Sequence, residues 1–335
     1  MKQRINTAVN TAGLFTLSLR WVIGWTYFSA FWRRLVLADK LIPEEAGYIG
    51  EKFNHFLPNA IGIKPIIEYL VTHPEALQTS MVAFTIIEAI VGLFIILGLF
   101  TRLMSIGVFS LAMGILLGSG WIGTTCLDEW QIGILGLAGG FTIFLTGSSH
   151  YSLDQWLINR SHPIAHKKWF SWLASGDLPM NTLKPWILGG SMMIFGLALY
   201  TNQVFHGGVF GTLHNKSVKP KIELSDVRFE GNQLVFQIYR VEGADVYGSF
   251  LIGIELLDKN GVVLFNLNQE KLAQYPSNKI KNRYVAKIKP GKHSLIIPLG
   301  AKADFMIDLD NVQPIDIAEI KLTDISGIVW KAQVH

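Results

Sequence analysis

The sequence contains a single cysteine, Cys126, among its 335 residues. A lone cysteine excludes an intrachain disulfide, a metal or iron–sulfur site built on cysteine pairs, and a C-x-x-C-H haem attachment. The chain also lacks a P-loop and a G-x-G-x-x-G motif that follows a strand. Any redox chemistry must therefore use a diffusible cofactor, and we expect no bound metal, haem or flavin.

Charge is also scarce in this sequence. Charged residues make up 16% of the chain and hydrophobic residues 50%, with a net charge of +4 and a mean hydropathy of +0.34. The positive charge is dispersed and forms no Lys/Arg block, which argues against nucleic acid as a partner. The apolar composition indicates an integral membrane protein whose first partner is the lipid bilayer.

Five apolar segments are long enough to cross a bilayer, which takes roughly 20 residues. They are residues 14–37, 79–100, 103–122, 129–146 and 185–205. The first follows Lys2 and Arg4, as the apolar core of a signal peptide would. It is too long for a signal peptide and no small-residue cleavage pattern follows it, so we expect a retained membrane helix.

The distribution of positive charge predicts the orientation. Residues 38–78 hold three lysines against six acidic residues, whereas the chain start, the 161–184 stretch and Arg102 are basic. We therefore expect an inner-membrane protein of a bacterium with its N-terminus in the cytoplasm. Residues 38–78 and everything after the fifth span would then lie on the outer, periplasmic side.

The last third of the sequence has a different pattern. From Lys221 onward, short runs of alternating apolar residues are separated by turn signals such as KNG and PGK. This spacing is typical of an all-β antiparallel sandwich. The predicted domains are a membrane bundle at 1–160, a basic loop with the fifth span and a linker at 161–219, and the sandwich at 220–335.

Charged residues near membrane helices are candidate functional groups because they are costly there. Arg33 and Arg34 end the first span, and two adjacent guanidiniums could bind an oxyanion through paired donors. The alternative is that both side chains snorkel to the lipid headgroups. Arg20 lies roughly 20 Å from Arg33 along the helix and would serve another purpose.

Glu88 lies near the middle of the second span. An isolated carboxylate there should either pair with an arginine or stay protonated. Either state would suit proton uptake by a reduced quinone. A buried pair with Arg20 or Arg33 that only fixes helix packing is an equally good explanation.

Cys126 lies between the third and fourth spans, in the stretch GWIGTTCLDEWQIG. It could be an inert buried residue or a reactive thiol. Asp128 and Glu129 disfavour the thiolate, so activation of the thiol would require the arginines to approach. His55 and His73 lack metal-ligand spacing and are expected to be ordinary loop residues.

Two stretches resemble a known family. The run from Glu88 through AIVGLFIILGLFTR to Arg102 resembles the DoxX-like membrane proteins. The motifs GWTYFSAFWRR and GWIGTTCLDEWQIG resemble more narrowly DoxD, the membrane subunit of thiosulfate:quinone oxidoreductase. The fifth span with the strand-rich tail resembles the DoxA subunit of the same enzyme, here fused to DoxD. The implied fold is a membrane α-helical bundle, with a DoxX-like four-helix core and a fifth transmembrane helix, followed by the sandwich.

The resemblance implies oxidation of two thiosulfates to tetrathionate at the outer face, with electrons passing to membrane quinone. We expect three groups of site residues: Cys126, Asp128, Glu129 and Glu88 for catalysis, Arg33, Arg34, Arg20 and Arg102 for substrate binding, and Trp25, Tyr27, Trp121 and Trp130 for quinone binding. In one hypothesis, Cys126 forms a thiosulfonate adduct with one thiosulfate, which a second thiosulfate displaces.

Two other functions remain open. The chain could be a non-catalytic DoxX-like scaffold subunit of a redox complex, or a carrier for a sulfur oxyanion. Assembly as a homo-oligomer is also open. The sandwich is expected to act as a cap or an assembly surface, because its strands lack a cluster of His, Cys and acidic residues.

Overall fold

A computed structural model of the chain describes residues 11–43, 45, 47–123, 128–245, 248–309 and 312–334. These residues form two compact units. The helical unit comprises the described residues of 1–48, 78–120 and 127–214, and the β unit those of 49–77, 121–126 and 215–335. The predicted domain limits at 160 and 219 stay a prediction.

The helices follow the apolar segments of the sequence. In the helical unit they are α1 (Leu17–Phe31), continued by a π-helical turn (Trp32–Leu37), α4 (Pro74–Leu97), α5 (Thr101–Ser119), α6 (Asp128–Thr146), α7 (Leu153–Asn159), α8 (Lys168–Leu173) and α9 (Met180–His206). Two shorter helices of the β unit, α2 (Gly50–Phe56) and α3 (Lys64–Thr72), lie between α1 and α4 in the sequence.

Within the described ranges, three helices are long and apolar enough to cross a membrane: Pro74–Leu97, Thr101–Ser119 and Thr182–His206. The chain is therefore a membrane protein with a helical N-terminal region. The other two predicted spans correspond to α1 with its π-helical turn and to α6. The total of five crossings stays a prediction.

The helices of the helical unit approach one another closely where glycines face a neighbour. A Cβ atom on Gly92 of α4 would lie 2.4 Å from the backbone nitrogen of Phe28 in α1. Position 92 therefore requires glycine, which lets the backbones of α1 and α4 lie in contact where the two helices cross. A buried apolar cluster that includes Ile23, Val91 and Val108 packs beside this crossing.

The described residues of the β unit form ten strands: β1 (Lys221–Glu230), β2 (Gln233–Glu242), β3 (Ser249–Leu257), β4 (Val263–Leu267), β5 (Ile280–Asn282), β6 (Lys289–Pro290), β7 (Leu295–Ile297), β8 (Lys302–Asp308), β9 (Glu319–Asp324) and β10 (Val329–Gln333). One sheet has the order β1-β2-β8-β5, and the other has the order β10-β9-β3-β7-β6 with β4 paired to β3. All described strand pairs are antiparallel, which confirms the antiparallel β prediction for this part. A short helix, α10 (Gln269–Ala273), follows β4.

One hydrophobic core joins the two sheets. Phe236 of β2 and Phe305 of β8 contribute from the first sheet, and Ile254 of β3 and Ile320 of β9 from the second. All four are fully buried. Tyr275 stacks on Phe305 with ring centroids 4.5 Å apart, so aromatic packing adds to the aliphatic core.

Residues 49–77 are a structured part of the β unit, whereas sequence analysis treated 38–78 only as a polar loop. Helix α3 buries Ile67 and Val71, which are four residues apart and therefore lie on one face. They pack in a cluster with Leu57 and with Tyr284 of the β domain. This amphipathic helix has only nine residues, Lys64–Thr72, within a stretch that is polar overall.

Candidate functional site

Arg34 and Glu88 form a buried ion pair in the helical unit. Arg34 lies in the π-helical turn that follows α1, and Glu88 lies in the interior of α4. Nη1 of Arg34 donates to Oε2 of Glu88 at 2.6 Å, and the two side chains are 14% and 4% exposed. The sequence indicates Arg20 or Arg33 as a partner for Glu88, whereas in the structure the partner is Arg34.

Further contacts fix the position of the Arg34 guanidinium. Nη1 also donates to Oγ1 of Thr85 at 3.0 Å, one turn before Glu88. The guanidinium carbon lies 5.8 Å from the centre of the Phe84 ring, a cation–π distance. Three side chains of α4, Phe84, Thr85 and Glu88, thus contact the Arg34 guanidinium.

Arg33 makes a different contact from its neighbour. Its Nε donates to the carbonyl oxygen of Ser29 on the same helix at 3.2 Å, and the residue is exposed. A π-helical turn rotates successive side chains differently from an α-helix, and the two guanidiniums here have separate partners. The anchoring of an anion by Arg33 and Arg34 together stays a prediction.

Arg20 of α1 is 2% exposed. Its Nη2 donates to the carbonyl oxygen of Tyr151 at 2.6 Å. Among the described residues, its Nε and Nη1 have no hydrogen-bond partner. Nη1 packs against Gly98, where an added Cβ would lie only 2.6 Å away. Arg20 therefore ties the loop after α6 to α1.

Arg102 occupies the first turn of α5 and is 1% exposed. It donates to three backbone carbonyls: from Nε to Phe144 at 3.1 Å, from Nη1 to Ser171 at 3.2 Å and from Nη2 to Gly176 at 2.5 Å. These contacts satisfy carbonyls near the ends of α6 and α8. Its predicted role in substrate binding stays a prediction beside this structural one.

Sequence analysis missed Asp154, which is fully buried beside this region. Its carboxylate accepts from the backbone N–H groups of Phe100 and Thr101 at 2.8 and 3.0 Å, and from Oγ1 of Thr101 at 2.8 Å. Ser175 donates to the same carboxylate at 2.9 Å. Asp154 thus caps the N-terminus of α5 although it lies in a different segment of the chain. The capping role depends on residues distant in the sequence, so no local pattern predicts it.

The four aromatic residues predicted to bind quinone have distinct environments. On α1, Trp25 is exposed and Tyr27 is buried, with the Tyr27 hydroxyl donating to the carbonyl oxygen of Val108 at 3.5 Å. Trp130 donates from Nε1 to Oγ1 of Thr201 at 2.9 Å, which joins α6 to α9. Trp121 is fully buried and belongs to the β unit.

An aromatic strip runs along α1 to its π-helical turn. Ring centroids are separated by 6.2 Å between Trp25 and Phe28, by 5.6 Å between Phe28 and Phe31, and by 6.2 Å between Phe28 and Trp32. Trp25 and Trp32 are both exposed in the protein, as lipid-facing side chains would be. The strip ends two residues before Arg34.

Cys126 lies outside the described residues. Asp128 begins α6, and Glu129 lies half-buried in its first turn, where acidic residues favour the helix dipole. No group of three or more His, Cys, Asp or Glu side chains that could hold a metal occurs within the described ranges. The roles of these three residues in catalysis stay a prediction.

Charged groups are also buried in the β unit. Burial lowers the pKa of His55 to about 4, with Lys52 adding to the effect and Asp245 opposing it at 4.0 Å. Burial also lowers the pKa of Arg240 to about 10, so it remains charged at neutral pH. Its guanidinium donates to the carbonyl oxygens of Glu242, Ala244 and Ile297.

The fold and the charged pair define the class: an integral membrane protein with a helical membrane part and an attached antiparallel β domain. Residues 15–181 match the family described as TQO small subunit DoxD, and residues 205–333 match the family described as TQO small subunit DoxA. The chain therefore belongs to these TQO small-subunit families, with the DoxD and DoxA parts fused in one polypeptide. No solved structure matches the chain significantly.

Proposed function

We propose that this protein oxidises thiosulfate to tetrathionate and transfers the electrons to membrane quinone, as a thiosulfate:quinone oxidoreductase. The names of both matched families support this reaction. The observation in the structure that supports it best is the Arg34–Glu88 ion pair, a titratable group within a membrane helix. Membrane-embedded ionisable residues commonly mark proton or substrate paths.

The reaction requires a proton-delivering group at the quinone. Two thiosulfates lose one electron each and join through a new S–S bond, while the quinone takes two electrons and two protons to become quinol. Glu88 is the carboxyl that would deliver protons, because it is buried in α4 yet linked to Arg34 at the helix rim. Arg34 would hold the carboxylate in place and stabilise its charge between turnovers.

The aromatic strip of α1 is our proposed quinone surface. Trp25, Phe28, Phe31 and Trp32 form a continuous series of rings that leads from an exposed helix face to Arg34. A quinone ring is flat and apolar, and stacks well on such side chains. Trp121 and Trp130 contribute less in this proposal, because both indole N–H groups already donate within the protein.

The sulfur half of the proposal uses Arg33 and Cys126. Arg33 is exposed beside the strip and would attract the thiosulfate dianion. The Cys126 thiolate would form an S–S bond to the sulfane sulfur of one thiosulfate as the quinone takes two electrons. The sulfane sulfur of a second thiosulfate would then attack this adduct, releasing tetrathionate and restoring the thiolate.

The test is thiosulfate-dependent reduction of a short-chain quinone by the purified full-length protein in detergent. Glu88→Gln keeps the shape but cannot carry a proton, so we expect the turnover rate to fall at least tenfold. Arg33→Gln should raise the KM for thiosulfate instead. Arg160→Gln is the matched control, because the side chain of this exposed arginine contacts only the Trp156 ring among the contacts described. Full turnover by Glu88→Gln would remove this pair from the chemistry.

A folded protein that reduces no quinone would favour the scaffold instead. Uptake of labelled thiosulfate into liposomes, measured on the same preparation, would favour the oxyanion carrier.

We also propose the finer topology of the membrane part: a four-helix DoxX-like core, a fifth crossing, the N-terminus inside and the β sandwich outside. Its support is the positive charge near the inner helix ends and the apolar length of the helices. Protease treatment of intact spheroplasts should digest a C-terminal tag and spare an N-terminal one. The reverse pattern would contradict the orientation.

A further inference from the structure

Residues 49–77 lie within the segment matched to DoxD, yet they form one compact unit with the DoxA segment. We propose that these residues, the docking segment, are the surface by which the DoxD part holds the DoxA part as a subunit. The covalent link between the two parts is then not needed for their association. The partner is the chain's own β domain, residues 215–335.

Asn54 is the central polar contact of the docking segment and is fully buried. Its Nδ2 donates to the carbonyl oxygen of Gly300 at 3.1 Å, and its Oδ1 accepts from the backbone N–H of Ala286 at 3.0 Å. One side chain therefore satisfies two backbone groups of the β domain. An apolar side chain at this position would leave both groups buried without partners, which is costly.

Asn59, the last residue of the 3-10 turn that follows α2 (Leu57–Asn59), makes a similar pair of contacts. Its Nδ2 donates to the carbonyl oxygen of Val241 in β2 at 3.0 Å. Its Oδ1 accepts from Nζ of Lys216 at 3.1 Å. The two asparagines bind separate backbone segments of the β domain, and this fixes the orientation of the docking segment as well as its position.

Charged groups surround these contacts. Lys52 pairs with Asp245 at 2.6 Å, and the Tyr284 hydroxyl donates to Glu68 at 2.8 Å. Each contact joins a docking residue to a β-domain residue. A partly exposed ion pair such as Lys52–Asp245 adds little affinity but helps to select the partner.

An apolar patch completes the surface. Leu57, Ile67 and Val71 are buried against Tyr284, and Tyr239 packs against the same cluster. A buried apolar centre with directed hydrogen bonds and charges around it is the usual organisation of a protein–protein interface. The docking segment therefore has the chemistry of a subunit contact.

The test begins with the full-length chain and introduces a protease recognition sequence after Gly211. This glycine has a φ of +82° and no atom within 4 Å of an added Cβ, so the insertion has room. The chain is purified in detergent by an N-terminal tag and then cleaved. We expect the C-terminal fragment to remain with the tagged fragment through gel filtration.

Asn54→Leu should weaken this association at least tenfold, measured by the dissociation of the cleaved fragment on dilution. Asn260→Ala is the control, because Asn260 lies in the exposed turn after β3 and bonds only to Asp258 among the contacts described. If Asn54→Leu does not fold, Asn59→Ala replaces it, since Asn59 is only partly buried.

Release of a wild-type fragment that circular dichroism shows to be folded would overturn the proposal. Retention that is unchanged in both Asn54→Leu and Asn59→Ala would also overturn it, because the fragment would then be held elsewhere. The measurement needs no turnover, so it is independent of the proposed enzyme activity.

Discussion

Substitution of Gly300 by alanine tests the packing of the docking segment most directly. Gly300 has a φ of +73°, and a Cβ placed there would lie 1.8 Å from the carbonyl oxygen of Asn54. The left-handed conformation alone costs a non-glycine residue about 1–2 kcal/mol. The overlap with backbone also forces α2 away from the β domain.

The displacement adds a second cost that can be separated from the first. If Asn54 moves, its two hydrogen bonds to Gly300 and Ala286 weaken, and each buried group left unsatisfied costs about 1–3 kcal/mol. Gly261→Ala provides the control, because Gly261 has a φ of +80° and open space around it. We therefore expect Gly300→Ala to be about 2–4 kcal/mol more destabilising than Gly261→Ala.

Pulse proteolysis of the full-length protein across a urea series would measure the difference, with fragments of the β unit quantified separately. The two variants share the same conformational cost, so the comparison isolates the overlap with Asn54. Equal destabilisation by the two substitutions would refute the placement of α2 against Gly300.

Three further predictions concern buried charge. Glu88→Gln should lower the melting temperature in detergent, because the buried charge of Arg34 loses its carboxylate partner at a cost of about 3–5 kcal/mol. The double variant with Arg34→Met should regain most of the lost stability. A double variant no more stable than Glu88→Gln would contradict the ion pair. The free energy of unfolding of the β unit, measured in urea, should fall by up to about 3 kcal/mol as the pH drops from 6.5 to 4. The reason is that His55 takes up a proton near the ordinary histidine pKa in the unfolded chain but only near pH 4 in the folded protein. A wild-type pH profile identical to that of His55→Gln would contradict this. Asp154→Ala should cost about 0.5–2 kcal/mol through the loss of the cap on α5, and Asp154→Asn less, both seen as lower melting temperatures; an unchanged melting temperature would contradict the capping role.

The sequence pattern predicts the parts of the fold that depend on local periodicity. Apolar runs locate the helices, and alternation with turn signals locates the strands from Lys221 onward. It does not predict that residues 49–77 join the β unit, because that depends on distant partners such as Gly300 and Ala286. Neither backbone group has a signature in the sequence of the docking segment.

For the candidate site, the sequence predicts which kinds of group occur but not which residues contact one another. The sequence predicts that a glutamate in the middle of an apolar helix either pairs with an arginine or stays protonated. The sequence indicates Arg20 or Arg33 as that partner, and only the local helix geometry decides between Arg33 and its neighbour Arg34. The role of Asp154 is not predictable from its own seven-residue helix, because the groups it caps lie more than fifty residues earlier in the chain.

The partners of the arginines in the helical unit separate structural from chemical roles. Arg20 and Arg102 donate to backbone carbonyls, whose charge does not change with proton or electron transfer. Arg34 donates to a carboxylate, which can gain and lose a proton. Among the arginine hydrogen bonds described in this unit, the Arg34–Glu88 pair is therefore the one that proton uptake would change most. In the proposed reaction, such a group would supply protons to the quinone as it takes up electrons.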